Sequence, residues 1–186
     1  MEQELKPFIQ SQERSRNVGK KTLKEAMAQS PKEGIRLRGF YKLQIENQDG
    51  SIDGDSGWCE NITTNLGFQD YIVKNLGKSA GSKQIAYMEL GTGGTPNATA
   101  VTLPGAIMGA TKKETVSASL AASSSLELQC TFNSTDRSIS YNISNIGLFD
   151  TSGAAATLFA GNTYTSSAAA TNQNVNATYT LNFATA

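Results

Sequence analysis

The sequence predicts an all-β protein, an antiparallel β-sandwich of the jelly-roll or Ig-like kind, with one short α-helix and an extended N-terminal arm. Two observations lead to this fold class. From residue 35 onward, apolar and polar residues alternate in many short runs, which is the pattern of half-buried strands. Clusters of Gly, Asn, Asp and Ser separate these runs, as turns do in sandwiches and barrels. A chain of 186 residues has room for one such domain and an extension.

The first 34 residues differ in composition from the rest, so we assign residues 1–34 to a basic arm and residues 35–186 to a sandwich body. Residues 1–38 contain nine Lys or Arg and five Glu, a formal charge of +4, and the remaining residues carry −4. A segment this polar buries too little apolar surface to fold alone, so we expect it to bind a partner. From residue 139 to the C-terminus, Asp150 is the only charged side chain. A surface so poor in charge is typical of a protein that lives inside an assembly.

The body begins with a predicted strand, because apolar residues alternate with polar ones over 35–46. The segment 47–57, NQDGSIDGDSG, contains Asp-Gly twice and predicts a turn. A returning strand is expected at 58–62. A helix is then predicted over 65–76, with Thr64 or Asn65 as its N-cap and Gly77 as its stop.

Short Thr-rich runs separated by turn residues predict the remaining strands, at 84–90, 112–120, 125–132, 138–149, 156–161 and 174–183. The Ala/Ser-rich pieces at 117–125 and 166–171 are expected to be strand flanks or loops. Leu148, Phe149, Leu158 and Phe159 stand on either side of Asp150–Gly153, which is the arrangement of core residues in a hairpin.

One motif suggests serine nucleophile chemistry, Gly54–Asp55–Ser56–Gly57, which matches most of the nucleophile motif of chymotrypsin-like proteases. Such a serine needs an imidazole base, and the chain contains no histidine. Trp58 also follows the motif where that family has glycine. We therefore interpret the segment as part of a hairpin turn and expect no catalytic residues.

Metal and cofactor sites are not expected either. Asp49, Asp53 and Asp55 supply oxygens that suit Ca²⁺, but their spacing is not that of the helix–loop–helix calcium loop. The glycine-rich segment 91–95 lacks the Gly-Lys-Ser/Thr ending of a phosphate loop. Cys59 and Cys130 form neither a disulfide framework nor a zinc site, although the sequence leaves open whether they meet. We expect no cofactor and no metal.

The arm's cations suggest two kinds of partner. Nine basic residues over the first 38 positions resemble arms that neutralise phosphates. The interleaved Glu residues, and the lack of aromatic residues other than Phe8 in the basic stretch, favour an acidic protein surface over nucleic acid. No run approaches the ~20 apolar residues of a membrane helix, and the N-terminus lacks the apolar run of a signal peptide.

Four segments carry motifs that follow one another in a fixed order: residues 65–76, residues 89–97 (ELGTGGTPN), residues 146–160 with IGLF and LFA, and residues 178–183 (TYTLNF). In the same order they resemble the helix, the Leu-Gly-Thr-Gly loop, the hairpin and the closing strand of a family of small virion structural proteins of tailed bacteriophages, known as head decoration, cement or tail-fibre proteins. The match runs from about residue 61 to the C-terminus and does not include the arm. The resemblance implies a β-sandwich used in capsid or tail architecture, without catalytic residues.

These observations lead to the hypothesis of a capsid decoration or cement protein, assembled in the host cytoplasm and placed on the capsid surface of the virion. Its body associates with itself, as a homotrimer at three-fold positions, and its arm binds the major capsid protein. Apolar anchors and charge contacts are assigned in the arm: Leu5, Phe8, Ile9, Arg14, Arg16, Lys20 and Lys21. The alternative is a tail, neck or fibre component that binds a host glycan. A cellular adhesin is a third alternative, which the missing signal peptide disfavours.

Overall fold

The computed structural model describes residues 35–107, 114–136 and 140–185. Strands β1–β4 precede the helix and β5–β11 follow it. The strands of these described residues are β1 (Ile35–Glu46), β2 (Ile52–Asp55), β3 (Cys59–Glu60), β4 (Ile62–Thr63), β5 (Tyr87–Gly91), β6 (Glu114–Thr115), β7 (Ser117–Ala122), β8 (Ser125–Phe132), β9 (Tyr141–Phe149), β10 (Leu158–Ala169) and β11 (Asn174–Thr185).

The strands form two sheets. The first has the order β2-β1-β11-β8-β7, with β3 also paired to β1, and the second has the order β4-β10-β9-β5-β6. The hairpins β1–β2, β7–β8 and β9–β10 and the long pairs β8–β11 and β5–β9 are all antiparallel. The all-β, antiparallel class predicted from the alternating pattern is therefore confirmed.

Both sheets contribute to one hydrophobic core inside the compact unit Arg36–Ala184. Tyr41 and Tyr179 from the first sheet are fully buried, as are Met88, Ile143 and Phe159 from the second. Along β1 and β11 buried side chains alternate with partly exposed ones, because successive residues of a strand point to opposite faces. In β5 and at the start of β10 successive residues are buried on both faces. Two antiparallel sheets that share one core are consistent with the expected β-sandwich.

Two predicted strands each divide between the sheets. The segment predicted as one strand at 58–62 becomes β3, which pairs with β1, and β4, which pairs with β10. Asn61 lies at the crossing, where its Nδ2 donates to the Tyr179 hydroxyl at 3.2 Å. In the same way β6 pairs with β5 and β7 with β8, with Val116 between them. Corner strands of this kind let one chain segment close both sheets.

The predicted helix is present over residues 65–76, but most of it has π geometry. The π-helical part is Gly67–Val73 and the α-helical end is Lys74–Leu76. The Thr64 hydroxyl accepts a hydrogen bond from Gly67 N–H at 2.9 Å, which confirms the Thr64 cap. Because a π turn is wider than an α turn, the apolar residues do not all face the core. Val73 is 51% exposed and Leu76 81% exposed.

The turn and two strand ends differ from the sequence interpretation. The chain reverses at Asn47–Ser51, where Asn47 N–H donates to Ser51 O at 2.9 Å, and the rest of the predicted turn contains strand β2. Strand β10 extends to Ala169, so most of the Ala/Ser-rich segment 166–171 is strand rather than loop. Strand β7 likewise covers most of 117–125. Backbone hydrogen bonds from β10 to β9 and from β7 to β8 hold these Ala/Ser-rich segments as strands, although their composition did not indicate it.

Candidate functional site

The partner-binding residues assigned from the sequence all belong to the arm and lie outside the described residues: Leu5, Phe8, Ile9, Arg14, Arg16, Lys20 and Lys21. The body itself contains several side-chain clusters and two grooves that could take part in binding or chemistry.

The Ser56 hydroxyl is hydrogen-bonded at the open end of the β1–β2 hairpin. This hydroxyl accepts from Leu43 N–H at 2.9 Å and donates to Gly57 O at 2.8 Å. Gly54 and Asp55 belong to strand β2, and Gly57 takes a positive φ of 65° in the loop that follows. The tight turn is thus at Asn47–Ser51, and the protease-like motif lies at the strand end because these residues pair with β1.

The three carboxylates considered for calcium point to separate partners. Asp49 Oδ1 accepts from Ser51 N–H at 3.0 Å, and Asp53 Oδ2 accepts from Gln173 Nε2 at 2.8 Å. Asp55 Oδ2 lies 3.0 Å from Lys42 Nζ. Within the described part of the chain, no three His, Cys, Asp or Glu residues are grouped as a metal site requires.

The glycine-rich loop after β5 is packed against a second loop. A Cβ on Gly93 would lie 2.4 Å from Pro104 O, and one on Gly91 would lie 2.2 Å from Asn145 Oδ1. Neither glycine has a positive φ; the positive φ of 63° belongs to Gly105. Gly91 and Gly93 are therefore not required here for backbone angles that other residues rarely adopt. Close approach of the backbone requires them.

Asn145 holds these two loops together. It is fully buried on β9, and its Nδ2 donates to Gly94 O at 3.1 Å and Pro104 O at 2.9 Å. Thr92 N–H is already bonded to Gly105 O at 2.9 Å. These backbone groups of the two loops are therefore hydrogen-bonded within the protein. No local pattern marks Asn145, since its partners are carbonyl groups far away in the chain.

A cluster of three tyrosines fills one part of the core. The Tyr41 and Tyr179 rings stack at 5.5 Å, and the Tyr41 and Tyr164 rings meet edge to face at 6.3 Å. Burial raises the pKa of each of these phenols well above its ordinary value. The hydroxyls therefore stay protonated, and the cluster serves packing.

A polar groove of about 440 Å³ lies on the outer face of the first sheet. Outward side chains from neighbouring strands bond directly across the sheet there: Thr131 Oγ1 donates to Asn176 Oδ1 at 2.8 Å. All its lining residues are uncharged: Thr115, Ser117, Gln129, Cys130, Thr131, Asn176, Ala177 and Thr178. Hydroxyl and amide groups on a shallow surface suit neutral polar ligands.

A second groove, of about 310 Å³ and mostly apolar, lies between the helix and the edge of the first sheet. Tyr71 and Ile72 line it from the helix, and Leu126 and Phe183 line it from strands β8 and β11. Ala118 of strand β7 lies at its margin. The sequence interpretation missed this site. It predicted a strand at 112–120 and assigned the Ala/Ser-rich piece 117–125 to strand flanks or loops, whereas residues 117–122 form one strand beside the groove. The available signal was that residues 117–122 contain no charged residue, Gly or Pro, which is compatible with an unprotected strand.

No protein-family model, curated protein or solved structure matches this chain. Among the described residues, no helix has the length and apolar character needed to cross a membrane.

Proposed function

We propose that this chain is a structural protein of a tailed-bacteriophage virion, a capsid decoration or cement protein that is not an enzyme. It assembles in the host cytoplasm and lies on the capsid surface, where its arm binds the major capsid protein. The body associates with copies of itself, and a trimer would place the arms at a three-fold position. In its finer detail, we propose that the sandwich is of the jelly-roll or Ig-like kind.

The observation that carries the proposal is that the four segments resembling the virion family pack in one core. The helix contributes Tyr71, whose ring centroid lies 5.1 Å from that of Phe159 on the β9–β10 hairpin. In the loop segment, Glu89 pairs with Gly147, and Tyr179 of the last segment is buried in the same cluster. Because the four segments pack against one another in one core, they support an architecture shared with the virion family. Motif matches scattered over the surface would not.

The low charge of the body supports a role inside an assembly. Strands β7, β9, β10 and β11 contain no charged side chain. Repulsion between copies is therefore weak, and contacts through backbone and small polar groups cost little desolvation. An enzyme would need a constellation of acid, base or nucleophile, and Ser56 and the tyrosine cluster are engaged in packing instead.

The mechanism we propose is mechanical. The arm lies across neighbouring capsid subunits, with Leu5, Phe8 and Ile9 in apolar pockets. Arg14, Arg16, Lys20 and Lys21 pair with acidic side chains of the capsid protein. Because several arms belong to one oligomer, each bound arm raises the effective concentration of the others, so that weak contacts persist.

The test is the stoichiometry of this protein against the major capsid protein in purified particles. A ratio near one copy per capsid subunit supports decoration, and a few copies per particle would contradict it. Removal of residues 1–34 is expected to leave the body folded, as measured by circular dichroism, and to abolish capsid binding. Full occupancy by the truncated protein would refute the role of the arm.

The second candidate function is a tail, neck or fibre component that binds a host glycan, and the polar groove favours it. Gln129, Asn176 and Thr178 offer amide and hydroxyl groups without charge, as a neutral sugar requires. A glycan array with the full chain tests this function. Binding that is lost in Gln129→Ala and kept in Gln44→Ala would favour the fibre role.

A further inference from the structure

Strand β7 differs from the other strands at the ends of the two sheets. Strand β2 has four residues, two of them Asp, and strands β4 and β6 have two residues each. Strand β7 has six residues, SASLAA, all exposed and none charged. Within the described part of the chain it pairs with β8 alone. It therefore presents a row of backbone N–H and C=O groups without the charges or prolines that protect most sheet edges.

The two faces of β7 have different surroundings. Ala118 pairs with Leu128 and Leu120 with Leu126, which places both side chains on the inner face of the sheet. Ser119 pairs with Glu127 and faces outward. On the inner face lies the apolar groove, with small Ala118 at its margin. Leu120, on the same face, is 79% exposed.

We propose that two copies of this chain pair through β7, antiparallel and across a two-fold axis at Ser119. This register joins the two six-stranded sheets into one continuous sheet and keeps both inner faces on the same side. Leu120 then stands opposite Ala118 of the second copy, and the reverse pair forms at the other end. Each exposed leucine covers the margin of the other copy's apolar groove.

A second copy fits this edge for a reason of charge and a reason of size. In an isologous contact residue i meets residue j of the second copy and j meets i, so any charge in this short strand would have its own symmetry copy a few residues away. SASLAA has none. In the Ser119-centred register the large Leu120 side chain meets the small Ala118 side chain of the second copy twice, which fills the space without overlap. Main-chain hydrogen bonds between the two strands supply the remaining contact. The inference does not depend on the proposed virion role, and it is an alternative to the trimer proposed there, because a two-fold contact joins copies in pairs and cannot close a ring of three.

The first test is the solution mass of the full chain by light scattering and analytical ultracentrifugation. We expect a dimer, and we expect Leu120→Lys to raise the dissociation constant at least about tenfold, since each dimer would bury two ammonium groups. Ile52→Lys is the matched control: it places the same charge on β2, at the opposite edge of the same sheet. Far-UV circular dichroism spectra that match that of the parent chain would show that both variants are folded.

The second test locates the pairing by cross-linking. Opposed Cα atoms in an antiparallel pair lie about 4.5–5.5 Å apart, within the range of a disulfide. Ser119→Cys should therefore form an intermolecular disulfide on mild oxidation. Ser117→Cys is the control on the same face of the same strand, because its symmetry mate would lie about 13 Å away. The parent chain, with Cys59 and Cys130, gives the background.

The outcomes separate this inference from the proposed function. A dimer weakened by Leu120→Lys and cross-linked through position 119 supports pairing through β7. A monomer, an oligomer unaffected by Leu120→Lys, or preferential cross-linking at position 117 would overturn it. A trimer that persists in Leu120→Lys would overturn the β7 pairing while agreeing with the three-fold decoration role.

Discussion

Lys83 Nζ lies 2.9 Å from Asp150 Oδ2, and this ion pair ties the start of the β9–β10 connection to the segment before β5. Asp150 Oδ1 accepts from Thr157 N–H at 2.7 Å, and Lys83 also contacts the Thr157 hydroxyl. Tyr71 of the helix donates to Thr157 O at 2.5 Å. Helix, loop and hairpin therefore meet at Asp150, the single charged residue between position 139 and the C-terminus.

Replacement of Asp150 by Ala is expected to lower the free energy of unfolding by about 1–3 kcal/mol, because Thr157 N–H and Lys83 lose a charged acceptor. Chemical denaturation measures the change. Glu60→Ala is the control, since Glu60 and Arg38 form an exposed pair whose loss should cost less than about 1 kcal/mol. Equal effects of the two substitutions would contradict a structural role for the Asp150 network.

Acid should weaken the same network. Partial burial acts to raise the pKa of Asp150, but the Thr157 N–H and the Lys83 ammonium hold it below its ordinary value. The folded pKa is therefore lower than the unfolded pKa of about 3.9, and the unfolded state binds the proton first. The stabilisation is complete above that unfolded pKa and is lost as pH falls through the folded pKa.

The measurement is denaturation at a series of pH values for the parent chain and Asp150→Asn. The parent chain should lose more stability than the variant between pH 5 and pH 3, because the variant has no carboxylate to protonate at this position. Parallel curves would mean that Asp150 does not contribute to the acid sensitivity.

The glycine-rich loop offers a matched pair of substitutions. Gly93→Ala would place a Cβ 2.4 Å from Pro104 O, whereas a Cβ on Gly94 meets nothing within 4 Å. We expect Gly93→Ala to lower stability by about 1–3 kcal/mol through overpacking, and Gly94→Ala to change it by less than about 0.5 kcal/mol. Thermal and chemical denaturation of both variants check this, and a neutral Gly93→Ala would refute the close contact.

The two cysteines should differ in reactivity. Burial, with a smaller effect of the Glu114 charge, raises the pKa of the Cys130 thiol well above its ordinary value. Cys59 is only partly buried. We expect a neutral alkylating reagent to modify Cys59 in the native protein and Cys130 only after denaturation. Peptide mass spectrometry reads out both sites, and rapid native modification of Cys130 would contradict the packing around β8.

Several elements could be read from local pattern. Strand β8, Ser125–Phe132, agrees with its predicted bounds, because Leu128, Cys130 and Phe132 alternate with polar residues. The helix cap at Thr64 and the hairpin cores at Leu148 and Leu158 were predictable for the same reason. Each depends on residues close in sequence, where period and side-chain chemistry act directly.

The candidate surfaces were less predictable. Nothing local marks Asn61 or Val116 as the point where the chain changes sheets, since both segments alternate as single strands would. Asn145 reads as a polar interruption of an apolar strand until its two carbonyl partners are placed beside it. Such roles depend on partners far away in the sequence.

The alternating pattern was enough to predict the all-β class, the helix at 65–76 and the strands whose apolar residues recur every second position. Which strands pair, and hence that β7 ends its sheet beside an apolar groove, emerged only from the packed fold. The physical reason is that a strand's alternation records which face is buried, whereas its backbone hydrogen bonds are the same for every neighbour. Sheet order, edges and grooves therefore follow from packing of the whole chain.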